Sequence, residues 1–95
     1  MSESILQKDK KCLVCGTRTG LHYHHIFGGN ANRRISDKHG FTCWLCGNHH
    51  NLTDDGIHFN RELDTMVKKA CQRKFEETHS RSEFMSLIGR NYLED

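Results

Sequence analysis

Thiol and imidazole side chains stand out in this chain: five cysteines and eight histidines occur among 95 residues. They are also ordered. Cys12 and Cys15 form a Cys-x2-Cys pair, His24 and His25 are adjacent, and Cys43, Cys46, His49 and His50 lie close together with His58 a little beyond. Thiolate and imidazole are the side chains that bind zinc and its neighbours best. A packed core needs no such concentration. The set is large enough for two metal sites, which points to metal-dependent chemistry.

Cys12-Leu-Val-Cys15 runs into a turn-like stretch from Cys15 to Gly20, so its two thiolates can share one tetrahedral ion. The other half of that site is either Cys43 with Cys46 or Cys46 with His49; both spacings suit zinc. Cys43 has a competing role. If the residues from Phe41 to Leu45 form a strand, then Phe41, Cys43 and Leu45 share a face, and Cys43 belongs to the core. Cys71 falls on the apolar stripe of a helix and reads as core.

The elements that must position these residues are short. A chain of 95 residues with 35% hydrophobic content makes one small domain whose core is modest and calls for a staple. Five cysteines is an odd number, and no apolar signal-peptide region precedes them. A reduced, metal-binding set in a cytoplasmic setting is therefore expected, not a disulfide framework. No apolar stretch reaches membrane-spanning length. The net charge of +2 permits nucleic-acid binding without arguing for it.

Residues 1–10 read as a loose polar arm. Leu21 to Phe27 and Phe41 to Leu45 read as strands. Gly28 to about Lys38 reads as a loop carrying Arg33 and Arg34, and Cys46 to Asp54 as a short helix ending before Gly56. From Arg61 to about Thr78 the apolar residues Leu63, Met66, Val67, Ala70, Cys71 and Phe75 recur at helical spacing, with Asn60 as N-cap. Ser80 and Glu83 make a capping box for a last helix with Phe84, Leu87 and Ile88. The class is α+β.

The stretch from residue 12 to 58 resembles the HNH, or ββα-metal, endonuclease family. His24-His25-Ile26 matches the strand-end pair of that family, and Leu45-Cys46-Gly47-Asn48-His49-His50 matches its zinc-stapled helix start. The resemblance implies a ββα-metal, treble-clef-like core over 11–58, an arm over 1–10 and C-terminal helices over 59–95. It favours Cys12, Cys15, Cys46 and His49 as the structural zinc ligands, because the family's catalytic-metal ligand directly follows the last zinc ligand. His50 then holds that place; the Cys43/Cys46 register would put Gly47 there.

The same resemblance implies roles for the histidines. His24 and His50 are ligands of a catalytic divalent metal, and His25 is the general base, a task that suits neutral imidazole. His39 stands where the family has its middle Asn or His, which orients the base. His58 either completes the metal shell or stands exposed. The catalytic ion would be magnesium, manganese, nickel or zinc, with a His-rich shell leaning toward transition metals.

The implied activity is DNA nicking or double-strand cleavage by phosphodiester hydrolysis. Arg33, Arg34 and Lys38 are the expected phosphate contacts, while Lys68, Lys69, Arg73 and Lys74 read as a solvated helix face. The alternatives are a non-catalytic zinc-stapled DNA-binding or adaptor module and a plain treble-clef interaction module. His25 discriminates, since a binding module has no use for a base beside a metal ligand. A homodimer would let one site per chain cut both strands. Small stand-alone members of the family are common in bacteriophages and prophages, which would put the protein in a bacterial host cell.

Overall fold

The computed structural model describes residues 4–52 and 56–93. Two strands, β1 (Leu21–His25) and β2 (Thr42–Cys46), pair antiparallel. Helix α1 (Asn30–His39) lies between them in sequence. A π-helical turn (Asn48–Leu52) follows β2, and helices α2 (Arg61–Glu76) and α3 (Arg81–Ile88) complete an α+β architecture. The short helix expected from Cys46 to Asp54 is thus this π-helical turn; its expected last residues, 53 and 54, lie outside the described residues.

The strand register positions the chemistry. His24 faces Cys43, His22 faces Leu45, and His25 faces Thr42. Cross-strand partners share a face and successive residues alternate. His22 and His24 therefore project with Cys43 and Leu45, and Tyr23 and His25 project with Trp44 and Thr42. Cys43 and Leu45 are fully buried, so the first face is the core face.

The N-terminal segment departs from the loose arm expected. Ile5 N–H donates to Gly40 C=O at 2.9 Å, Ser4 Oγ donates to Thr42 C=O, Trp44 N–H donates to Gln7 Oε1 at 2.8 Å, and Leu13 N–H donates to Trp44 C=O at 2.9 Å. The segment thus runs along the free edge of β2. An open edge in a two-stranded sheet leaves a row of unpaired amides and carbonyls, and covering it removes that liability. Residues 1–3 of the expected arm lie outside the described residues.

Helix α1 occupies the stretch expected to be a loop. Its sequence shows no apolar period because it docks through one half-buried aliphatic, Ile35, and one buried hydroxyl, Ser36. Ser36 Oγ donates to Phe27 C=O at 3.1 Å and accepts from Phe27 N–H at 3.3 Å. The helix stops at Gly40, whose φ of 75° is left-handed and whose N–H returns to Ser36 C=O.

The core is built on Phe27, Phe41, Phe75 and Phe84, with edge-to-face and tilted ring contacts from 5.4 Å (Phe41–Phe75) to 6.0 Å (Phe75–Phe84). Helices α2 and α3 start as the sequence indicates. Asn60 Oδ1 accepts from Leu63 N–H at 3.1 Å, and Ser80 with Glu83 forms a complete capping box. Cys71 is fully buried, the core position expected of it.

Ser36→Ala tests the docking of α1. It leaves both the amide and the carbonyl of buried Phe27 without that partner, and should cost about 1–3 kcal/mol of stability in a urea titration.

Candidate metal centres

Cys12, Cys15, Cys46 and His49 each offer a ligand atom, and these atoms all lie within 4.8 Å of one another. Cys15 Sγ is 3.7 Å from Cys46 Sγ, and His49 Nδ1 is 3.2 Å from Cys46 Sγ and 3.7 Å from Cys12 Sγ. A zinc tetrahedron with Zn–S bonds of about 2.3 Å has S···S edges of about 3.8 Å, so the donor set fits a metal such as zinc. The turn is held by Gly16 N–H donating to Cys12 C=O at 2.9 Å and Cys12 N–H donating to Thr17 C=O at 2.8 Å. Burial opposes charge on Cys12, but the amides of Cys15, Cys46 and Val14 point at its sulfur, and the net effect lowers its thiol to about 6. A thiolate is the ligand form, so this environment prepares the site.

Cys43 stands apart from that group. It is fully buried in the core, and burial, with a smaller effect from Cys12, pushes its thiol up to about 12. Of the two registers that spacing allowed, the geometry assembles the one with Cys46 and His49.

Among the described residues, a second cluster is made of imidazoles. Ring nitrogens of His24, His50 and His58 lie within 4.8 Å of one another, with His50 Nε2 and His58 Nε2 3.0 Å apart. His24 comes from β1, His50 from the π-helical turn and His58 from the turn before α2. The backbone places His58: its N–H donates to His50 C=O at 3.1 Å, as Ile57 N–H does to His49 C=O at 2.8 Å. His58 is therefore both a member of the cluster and exposed.

His24 Nε2 is buried and has no hydrogen-bond partner among the described residues. Burial, then the charges of His58, His50, His25 and Lys68, lower its imidazole to about 3. It is held neutral with Nε2 unpartnered, and neutral imidazole is the form a metal ligand needs. Burial and then His58 and His22 lower His50 as well. The fit of this donor set to a transition metal thus rests on an orphaned buried nitrogen and on three imidazoles whose ring nitrogens converge.

His22 was not singled out by sequence reasoning. Its Nδ1 lies 2.8 Å from His50 Nδ1. If His50 binds through Nε2, its Nδ1–H donates to His22, which fixes the ring and its tautomer. The signal was present: His22 is two residues before His24 on a strand and so shares its face.

His25 lies on the opposite strand face but lines the same open pocket, of about 540 Å³, as His24, His50, His58 and Arg33. Its ring meets Tyr23 edge-on at 5.2 Å, and its Nε2 is 4.0 Å from Asp37 Oδ1. Tyr23 Oη donates to that same carboxylate oxygen at 3.1 Å. Asp37, on α1, was also missed, because a helix was not expected there.

His39 is not among the residues lining this pocket. It sits at the C-terminal end of α1, stacked on Phe41 at 5.8 Å, and lines a groove with Phe75 and His79. The helix turns the residue away, and Asp37 is the α1 side chain that reaches His25. Of the expected phosphate contacts, Arg33 lines the pocket, while Arg34 and Lys38 are exposed on α1 and do not. Comparison with family models, with curated proteins and with solved structures found no match for this chain.

Two measurements test the Cys/His centre. Cys12→Ser should lose bound zinc and unfold or aggregate the domain, while Cys43→Ala should keep one zinc per chain, read by metal analysis of the purified variants. In the zinc-loaded protein at pH 8, Cys43 should resist iodoacetamide, because its thiol stays protonated and buried; rapid alkylation there would contradict the core position.

Proposed function

We propose that this chain is a metal-dependent endonuclease of the HNH, ββα-metal kind, which hydrolyses phosphodiester bonds in DNA. The observation that carries this reading is the shared pocket. An imidazole outside the cluster, His25, lines the same space as the three imidazoles and an arginine. The order of strand, strand and helical turn agrees with the family pattern, with α1 carried in the connection between the strands. A module that only bound DNA would gain nothing from a base beside such a cluster.

A divalent ion held by His24, His50 and His58 would offset charge on the scissile phosphate and stabilise the leaving oxygen. The protein supplies the rest. His25 takes the proton from the attacking water. Its Nε2 is turned toward Asp37, 4.0 Å away, which leaves Nδ1 for that water. Arg33 presents a planar fork suited to phosphate oxygens. His22 holds His50 in place. Three imidazoles favour a transition metal such as manganese, nickel or zinc over magnesium.

The test is a supercoiled-plasmid nicking assay. EDTA, at concentrations that leave the structural zinc bound, should stop cleavage, and Mn²⁺ or Ni²⁺ should restore it. His25→Ala should slow cleavage by roughly 10²–10⁴-fold with fold, zinc content and DNA affinity nearly unchanged. His24→Ala and His50→Ala should instead weaken the exchangeable metal, so that excess ion partly rescues them. Cleavage by His25→Ala at the wild-type rate would leave the binding-module reading as the better one.

A further inference from the structure

A second polar pocket, of about 520 Å³, opens between α2 and the segment that follows α3. Arg61, Lys68, Lys69 and Arg90 line it with one carboxylate, Asp64. Among the described residues, four cations against one acid leave a surplus of three charges in one cleft, where the whole chain carries only +2. Lys68 pairs with Asp64 at 2.8 Å, and among the described residues Arg61, Lys69 and Arg90 form no ion pair. Gathering like charges costs free energy that an anionic partner recovers.

The cleft is built, not a loose surface. Gln72 is fully buried on α2 and ties down the C-terminal segment. Its Nε2 donates to Asn91 Oδ1 at 2.7 Å, and its Oε1 accepts from Tyr92 N–H at 2.7 Å. Tyr92 then meets Phe27 of the core at 5.5 Å. Its ring also receives Lys68 Nζ at 5.6 Å and the Arg90 guanidinium at 5.0 Å, which holds two cations on one platform. Chain connectivity ties the cleft to the imidazole cluster: Arg61 follows His58 closely in sequence, and Tyr92 packs on Phe27, which follows His24 and His25 closely.

We propose that this cleft is a second phosphate-backbone site, which holds the nucleic-acid strand where it continues beyond the His25 pocket. The inference rests on the nucleic-acid reading above and adds to it the surface that grips the substrate away from the chemistry. It also separates the cations of α2. Lys68 and Lys69 face the cleft, whereas Lys74 is exposed and pairs with Glu77 at 3.3 Å, and Arg73 is exposed outside it. Backbone contacts of this kind carry affinity and salt dependence, not sequence preference.

The experiment measures binding of a fluorescent DNA duplex to the zinc-loaded full chain, with no other divalent ion, over a range of salt. Lys69→Gln/Arg90→Gln should weaken binding about tenfold and reduce the slope of log K against log salt by about 2, near 0.9 per lost phosphate contact. The charge-matched control Arg73→Gln/Lys74→Gln should stay within about twofold of wild type. All these positions are on the surface, and zinc content with circular dichroism checks that each variant is folded. Equal losses in both variants, or no loss in either, overturn the cleft. If the wild type binds and the cleft variant is weakened, yet no metal supports nicking, the cleft stands and the nuclease reading falls. If the wild type binds no DNA, both fall.

Discussion

Cys46 belongs to two structures at once, and most of the molecule follows from that. It is the last residue of β2, fixed by pairing with Leu21, and it is a member of the Cys/His group with Cys12, Cys15 and His49. His49 is thereby committed to one side of the chain. The next residue, His50, reaches His22, His24 and His58 on the other. A single π-helical turn thus serves two clusters with consecutive side chains. Such wide turns are rare and are found mostly where function requires them. The backbone bonds from Ile57 and His58 back to His49 and His50 carry the arrangement across to the start of α2.

The parts of this arrangement that depend on local pattern were legible in the sequence. Helices α2 and α3 announce themselves through apolar spacing and side-chain caps, and the alternation around Cys43 marks it as core. What could not be read depends on docking. Helix α1 has a polar sequence because its anchor is a buried hydroxyl, and hydroxyls carry no periodic signal. Treating its residues as loop misplaced His39 and hid Asp37. The N-terminal segment was read as loose because its hold on β2 is mostly through backbone atoms and short polar side chains. Both errors have one origin: hydrogen bonds to buried backbone leave little trace in composition.

Charge shows the same limit. A net charge of +2 over 95 residues suggests an electrostatically bland surface. The folded chain is not bland. One cleft concentrates cations, and another space concentrates imidazoles that burial and mutual repulsion keep neutral. Ring nitrogens brought this close repel one another unless a proton or an ion lies between them. Cores of this size have little stability to spare for such clusters, and a metal on the Cys/His group beside them would brace them.

The stretch from Phe27 to Phe41 has a further consequence. Its base is closed by Ile26 N–H donating to Phe41 C=O at 2.9 Å, and its helix is clipped to Phe27 by Ser36. The intervening segment therefore leaves and rejoins the scaffold at one point. Lengthening such a connection is cheap, about 0.6 kcal/mol for each doubling. The segment can therefore lengthen ahead of the Ser36 clip, changing what overhangs the pocket, while the strands and both clusters beneath stay as they are.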